Sequence, residues 1–191
     1  YWLMAIIYSI PGNQNWDQLG SLSARLPSAL SSFFLFLILG ECILHNHHKS
    51  NFKSHLALVS SLGFALSPLV IIWSRTAVSD SLLCGTVGIS LLLFWRKFFE
   101  YKSKNCISPW IFLSLAILTK GPVAAIIVAL TLAVFLWTQD DRKRLLLKIK
   151  PVQGILITFF ISTPWYLIVF LKEGQSFLDS FFGYHNLQRY T

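Results

Sequence analysis

Few residues in this chain can do acid–base or ionic chemistry, and each stands out for that reason. Arg75 and Asp80 lie five apart in "SRTAVSDSLL", residues 74–83, between two strongly apolar runs. Such a pair can line a polar cavity, with the aspartate orienting a basic group, a substrate or a partner. Equally, Asp80 can cap the helix that follows while Arg75 anchors the one before. Lys120 lies in "ILTKGPVA", where Gly121 and Pro122 interrupt the helix and Pro122 can begin the next one. A lysine there either holds a phosphate as a point charge or marks an interfacial turn. His185 and Arg189 fall in the tail segment "FFGYHNLQRY". An imidazole can ligate a metal, act as a general base or contact a phosphate, and in a polar tail it can also simply be solvated. Arg25, just before Pro27, reads as a helix-end anchor or as one more cation of the same cavity. Tyr166, within "TPWYLIVFLKEG", either hydrogen-bonds into a cavity or packs in a core, and Pro164 beside it can kink the helix. The sequence contains no P-loop, GxSxG, HExxH or GxGxxG.

The elements that must position these residues are membrane helices. The chain is 54% hydrophobic and 15% aromatic, with mean hydropathy +0.60 and only 13% charged residues. Soluble proteins carry about 25% charged residues. The net charge is +8, but the basic residues form short blocks between apolar runs, as membrane loops do, so nucleic acid is not the expected partner. The three cysteines, Cys42, Cys84 and Cys106, are scattered and read as apolar filler. Six apolar segments, 28–44, 56–73, 81–98, 108–119, 122–137 and 152–171, predict an all-α, polytopic transmembrane domain with about six spans. The fourth is short, and the fourth and fifth could instead fuse into one kinked helix.

Charge decides between those two topologies. With six spans, residues 45–55, 96–104 and 139–150 share one side and hold 11 of the 16 Lys and Arg. Basic loops favour the cytoplasm, so Arg25, Arg75, Asp80, Lys120, His185 and Arg189 gather at the outer face. Fusion would export "DDRKRLLLKIK". Ionisable groups gathered beside apolar helices suggest a functional cavity. The His-rich stretch "HNHHKSNFKSH" (45–55) then reads as a solvated cytoplasmic loop, with metal binding as the alternative. Residues 1–10 are too short to span and are expected at the outer interface, followed by an exposed turn. In the tail, Phe177, Phe181 and Phe182 can rest on the membrane. With Tyr1 first and no charged leader, the chain is expected to be an internal piece of a longer protein.

The ordered series "ARLPSAL", "SRTAVSDSLL", "LTKGPVA", "PWY" and "FFGYHNLQRY" runs along nearly the whole chain. It resembles the bacterial membrane glycosyltransferases related to protein O-mannosyltransferases, and within them the lipid A aminoarabinose transferase group most. The resemblance implies a GT-C fold in the bacterial inner membrane, of which residues 1–191 form part of one domain, with its active face outward. It implies transfer of a sugar from a polyprenyl-phosphate donor to a lipid, glycan or protein acceptor. The acid thought central to catalysis in that family sits in a first outer loop. That loop, the span before it and a Lys-Pro-Pro-like segment would precede Tyr1, so this stretch alone is expected to be inactive. Asp80 then matches the acid of an Arg-x-x-x-x-Asp stretch, as an orienting group. Lys120 matches the Lys of a Thr-Lys-Gly segment. His185 and Arg189 match a His-Asn-x-x-Arg stretch in which the histidine can help bind a divalent metal. Arg75, Lys120 and Arg189 are the expected phosphate contacts, since charge grows on the donor phosphate as the glycosidic bond breaks.

Two other readings compete. A flippase or transporter of a lipid-linked sugar would also use a charged cavity among broken helices, but it predicts pseudo-symmetric halves that the sequence does not show. A non-catalytic membrane subunit predicts small-residue packing faces, of which "GTVGIS" and "PVAAIIVALTLA" are modest examples.

Overall fold

A computed structural model describes residues 2–10, 21–46, 52–99 and 106–174. These residues are helical almost throughout and carry no strand, as the apolar segments predict. The helices are α1 (Trp2–Tyr8), α2 (Ser21–Asn46), α3 (Lys53–Ala65), α4 (Pro68–Arg75) and α5 (Ser79–Phe99), then α6 (Ser108–Lys120), α7 (Pro122–Trp137), α8 (Arg142–Ile149) and α9 (Pro151–Glu173). They fall into two compact units, Tyr1–Ser103 and Lys104–Thr191. The turn expected after residue 10, the core of the His-rich loop (residues 47–51) and the aromatic tail lie outside the described residues.

The surface is that of a membrane protein. Trp137, Phe160 and Leu171 are 78%, 73% and 81% exposed, and large aliphatic side chains stand open along α2, α3, α7 and α9. In water so much open apolar surface would drive association; in a bilayer it meets lipid. Among the described residues three stretches are long and apolar enough to cross: α2, α5, and α9 together with α8 before it. A fourth arises if α3 and α4 are counted as one bent span.

In the first unit, α2 and α5 run parallel along a seam of small residues. Ser28 Oγ donates to the Val78 carbonyl at 3.3 Å, and Ser31 Oγ to the Ser81 carbonyl at 3.3 Å. Ser81 Oγ donates back to the Ser28 carbonyl at 3.4 Å. Further along, Gly88 faces Leu35, and Cys42 Sγ lies 3.6 Å from the Leu92 carbonyl. The partners advance together on both helices, which makes the pair parallel. A β-carbon on Gly85 would stand 2.7 Å from Ser31 Cβ, so this close approach requires glycine. Lipid offers no hydrophobic drive between helices, so close packing and hydroxyl–carbonyl bonds hold such seams instead. At the far end Arg96 donates to Glu41 Oε1 at 2.6 Å.

The segment 56–73, expected as one helix, is two. α3 and α4 meet at a 58° bend. Pro68 has no N–H to continue the ladder and its ring clashes with the carbonyl four residues back. It also pushes Ser67 out of the helical region, to φ −58°, ψ 127°. Proline does not always break a helix: α2 runs through Pro27 and α9 through Pro164. Arg25 therefore lies inside the second turn of α2 rather than at its beginning.

In the second unit, α6 and α7 are separate helices, not one kinked rod. Gly121 joins them at φ 78°, ψ −151°, a conformation essentially reserved for glycine. Trp110 of α6 and Leu132 of α7 line the same groove, as do Ile117 and Ala125. In a continuous helix residues 110 and 132 would stand about 33 Å apart, so α7 folds back along α6. Replacing Gly121 with alanine should cost about 1–3 kcal/mol by forcing a β-carbon into this backbone conformation. A fall in the thermal unfolding midpoint of the detergent-solubilised protein would measure it.

α9 packs parallel to α6. The Trp110 Nε1–H donates to the Ile149 carbonyl at 2.9 Å, Ser162 Oγ to the Ser114 carbonyl at 3.4 Å, and the Tyr166 hydroxyl to the Ile117 carbonyl at 2.9 Å. Lys150, in the left-handed region at φ 47°, turns the chain from α8 into α9.

Candidate functional site

The first unit places Arg75 and Asp80 on either side of a three-residue connection, Thr76–Val78, between α4 and α5. Helix-end electrostatics fit both. Arg75 lies in the last turn of α4 and Asp80 in the first turn of α5, where the peptide dipoles favour a cation and an anion respectively. The extended backbone of Thr76 ends α4, with its hydroxyl turned back to the Trp73 carbonyl at 3.2 Å. The Ser28–Val78 bond ties this connection to α2 one turn beyond the exposed Arg25. Arg25, Arg75 and Asp80 therefore share one end of the unit. Glu41, Arg96 and Lys97 sit at the opposite end of the parallel α2–α5 pair.

In the second unit Lys120 ends α6, next to the Gly121 reversal. Trp110, Leu113 and Ile117 line a groove, and Lys120 continues that stripe at helical spacing, one turn further on. The groove holds about 750 Å³ between α6, α7 and α9. Its walls are apolar apart from hydroxyls. The Tyr166 hydroxyl shares the Ile117 carbonyl with the N–H of Gly121, which fixes the end of α6 just before the lysine. Tyr166 thus both packs and hydrogen-bonds, joining the two alternatives its sequence context left open. Thr158 Oγ1 is buried in the groove wall and finds no hydrogen-bond partner among the described residues. The basic block Arg142–Lys150 lies at the other end, where the Trp110–Ile149 bond ties α8 to the start of α6.

His185 and Arg189 lie outside the described residues. Among the described residues no group of three or more His, Cys, Asp or Glu could hold a metal ion. Cys42 and Cys106 are buried, as filler residues should be, while Cys84 is exposed. A reading centred on charge misses the groove, Trp110 and Thr158. The apolar spacing 110, 113, 117 is the signal that could have revealed the wall, since it also points at Lys120.

The chain matches the family model for dolichyl-phosphate-mannose-protein mannosyltransferase over residues 1–168. Two curated proteins of Aquifex aeolicus (strain VF5), each carrying the name "Uncharacterized protein", are similar. One is 32% identical over 192 residues, which cover 100% of this chain and 40% of that protein. The other is 29% identical over 184 residues, covering 95% of this chain and 34% of that protein. The chain therefore spans less than half the length of these relatives. No solved structure matches it. The family match includes both the Arg75–Asp80 connection and the Lys120 reversal; with apolar helices on either side of each, the chain belongs to the dolichyl-phosphate-mannose-protein mannosyltransferase family of glycosyltransferases.

Proposed function

We propose that the chain is part of a GT-C-type glycosyltransferase of the bacterial inner membrane. The enzyme would move a sugar from a polyprenyl-phosphate donor to a lipid, glycan or protein acceptor at the extracytoplasmic face. The single observation that carries this reading is the family match over residues 1–168. The geometry is in keeping with it. An apolar groove between α6, α7 and α9 suits a polyprenyl chain, and Lys120 extends the groove's stripe where a phosphate would need a counter-charge. Arg75 and Arg189 are the other proposed phosphate contacts. Cations in a water-poor site stabilise charge growing on a leaving phosphate far more than they would in water.

Asp80 is proposed to orient a basic group rather than to take the acceptor's proton. A divalent ion at the site would draw on His185 together with groups beyond the described residues.

The test is transfer by the full-length protein in proteoliposomes, supplied with polyprenyl-phosphate-linked sugars. Wild type should form product. Arg75→Ala and Arg189→Ala should each lower turnover by about tenfold or more with membrane insertion intact. Full turnover in both variants would remove those arginines from the site. Transfer from nucleotide sugars alone would overturn the donor class.

A further inference from the structure

We infer that α8 and its flanks form a docking surface for anionic phospholipid headgroups. Residues 139–150 carry five basic residues, Arg142, Lys143, Arg144, Lys148 and Lys150, against Asp140 and Asp141. The helix itself, "RKRLLLKI", is pinned on one side only. Ile149 is buried, and its carbonyl accepts the Trp110 indole N–H at 2.9 Å. Much of the rest is open: Arg142, Lys143 and Arg144 are exposed, Leu146 and Leu147 stand 46% and 74% exposed among them, and Leu145 and Lys148 are half-buried.

Neither environment alone suits that surface. Water would leave two leucines unburied, and the hydrocarbon interior would strand three cations. The headgroup layer accepts both, with leucine at the acyl boundary and cations at the phosphates. Position along the chain agrees. α8 joins the end of α7, marked by the exposed Trp137, to the start of α9, the membrane-spanning helix that follows it. Charge complementarity then selects anionic over zwitterionic lipid, by about fivefold for each basic residue at the surface. The surface would hold whatever reaction the protein catalyses.

Native mass spectrometry of the full-length protein, titrated with phosphatidylglycerol or phosphatidylcholine, tests the inference. Wild type should retain phosphatidylglycerol about tenfold or more tightly, and raising the salt concentration should shrink that ratio. The double variant Lys143→Gln/Arg144→Gln should lower that ratio by about tenfold or more, while Lys53→Gln in another of the basic loops leaves it unchanged. The double variant keeps Arg142, Lys148 and Lys150, so its orientation in the membrane is preserved. Equal retention of the two lipids by wild type would overturn the inference, as would an equal loss in the Lys53 variant. So would capture of a soluble protein that depends on Lys143 and Arg144 with no lipid preference.

Discussion

Replacing Gly154 with alanine should drive α9 off α6 and destabilise the second unit by about 3 kcal/mol, at the upper end of overpacking costs. The α-carbon of Gly154 lies against the Trp110 indole so closely that a β-carbon would overlap the ring carbons Cε2 and Cδ2. The ring has little freedom to yield. It is buried, and its N–H is committed to the Ile149 carbonyl at 2.9 Å. Moving it aside would break that bond and leave an indole donor unsatisfied, so α9 must move instead. Denaturant unfolding in detergent would read the loss. A double-mutant cycle locates its cause: in a Trp110→Ala background, which carries its own cavity penalty, the glycine substitution should cost less than about 1 kcal/mol. Costs that simply add would mean that the ring is not the obstacle.

Lys120→Ala should lower kcat/KM for transfer by about 100-fold in the full-length protein, equivalent to about 2.7 kcal/mol of transition-state stabilisation. This rests on the proposed function. The lysine ends α6 under two fixed constraints, the Gly121 conformation and the Tyr166–Ile117 bond, so its backbone is held in place without ordering a loop. Lys120→Arg keeps the charge but changes its shape and reach, and should recover to within about tenfold of wild type. If the charge acts on the departing phosphate, the fall appears in kcat. If it serves only to capture the donor, KM rises and kcat holds. Unchanged kinetics in Lys120→Ala would remove the residue from the reaction and leave it as an interfacial anchor.

What the sequence shows and what it hides follow from the kind of signal each feature leaves. Apolar runs and basic blocks are long-range patterns, so the helices and the shared end of Arg25, Arg75 and Asp80 can be read directly. The break before Pro68 is written in a single residue inside an apolar run, where hydropathy averages over it. Pro27 and Pro164 look the same in sequence, yet their helices continue, so proline alone does not decide. The Ser28, Ser31, Ser81 and Gly85 seam leaves almost no periodic trace. Small residues contribute little to hydropathy, and their effect depends on a facing helix 50 residues away in the chain. The Trp110–Gly154 contact is hidden for the same reason. One partner is a ring and the other is the absence of a side chain.

The shortness of α6 has a consequence for the bilayer itself. Its 13 residues rise about 20 Å, against a hydrocarbon layer about 30 Å thick. Where the bilayer thins to match it, the lipid headgroups beside the Lys120 end come about 10 Å closer to that turn. Under the proposed function, such thinning would shorten the path of the donor phosphate to the Lys120 ammonium while its polyprenyl tail stays in oil.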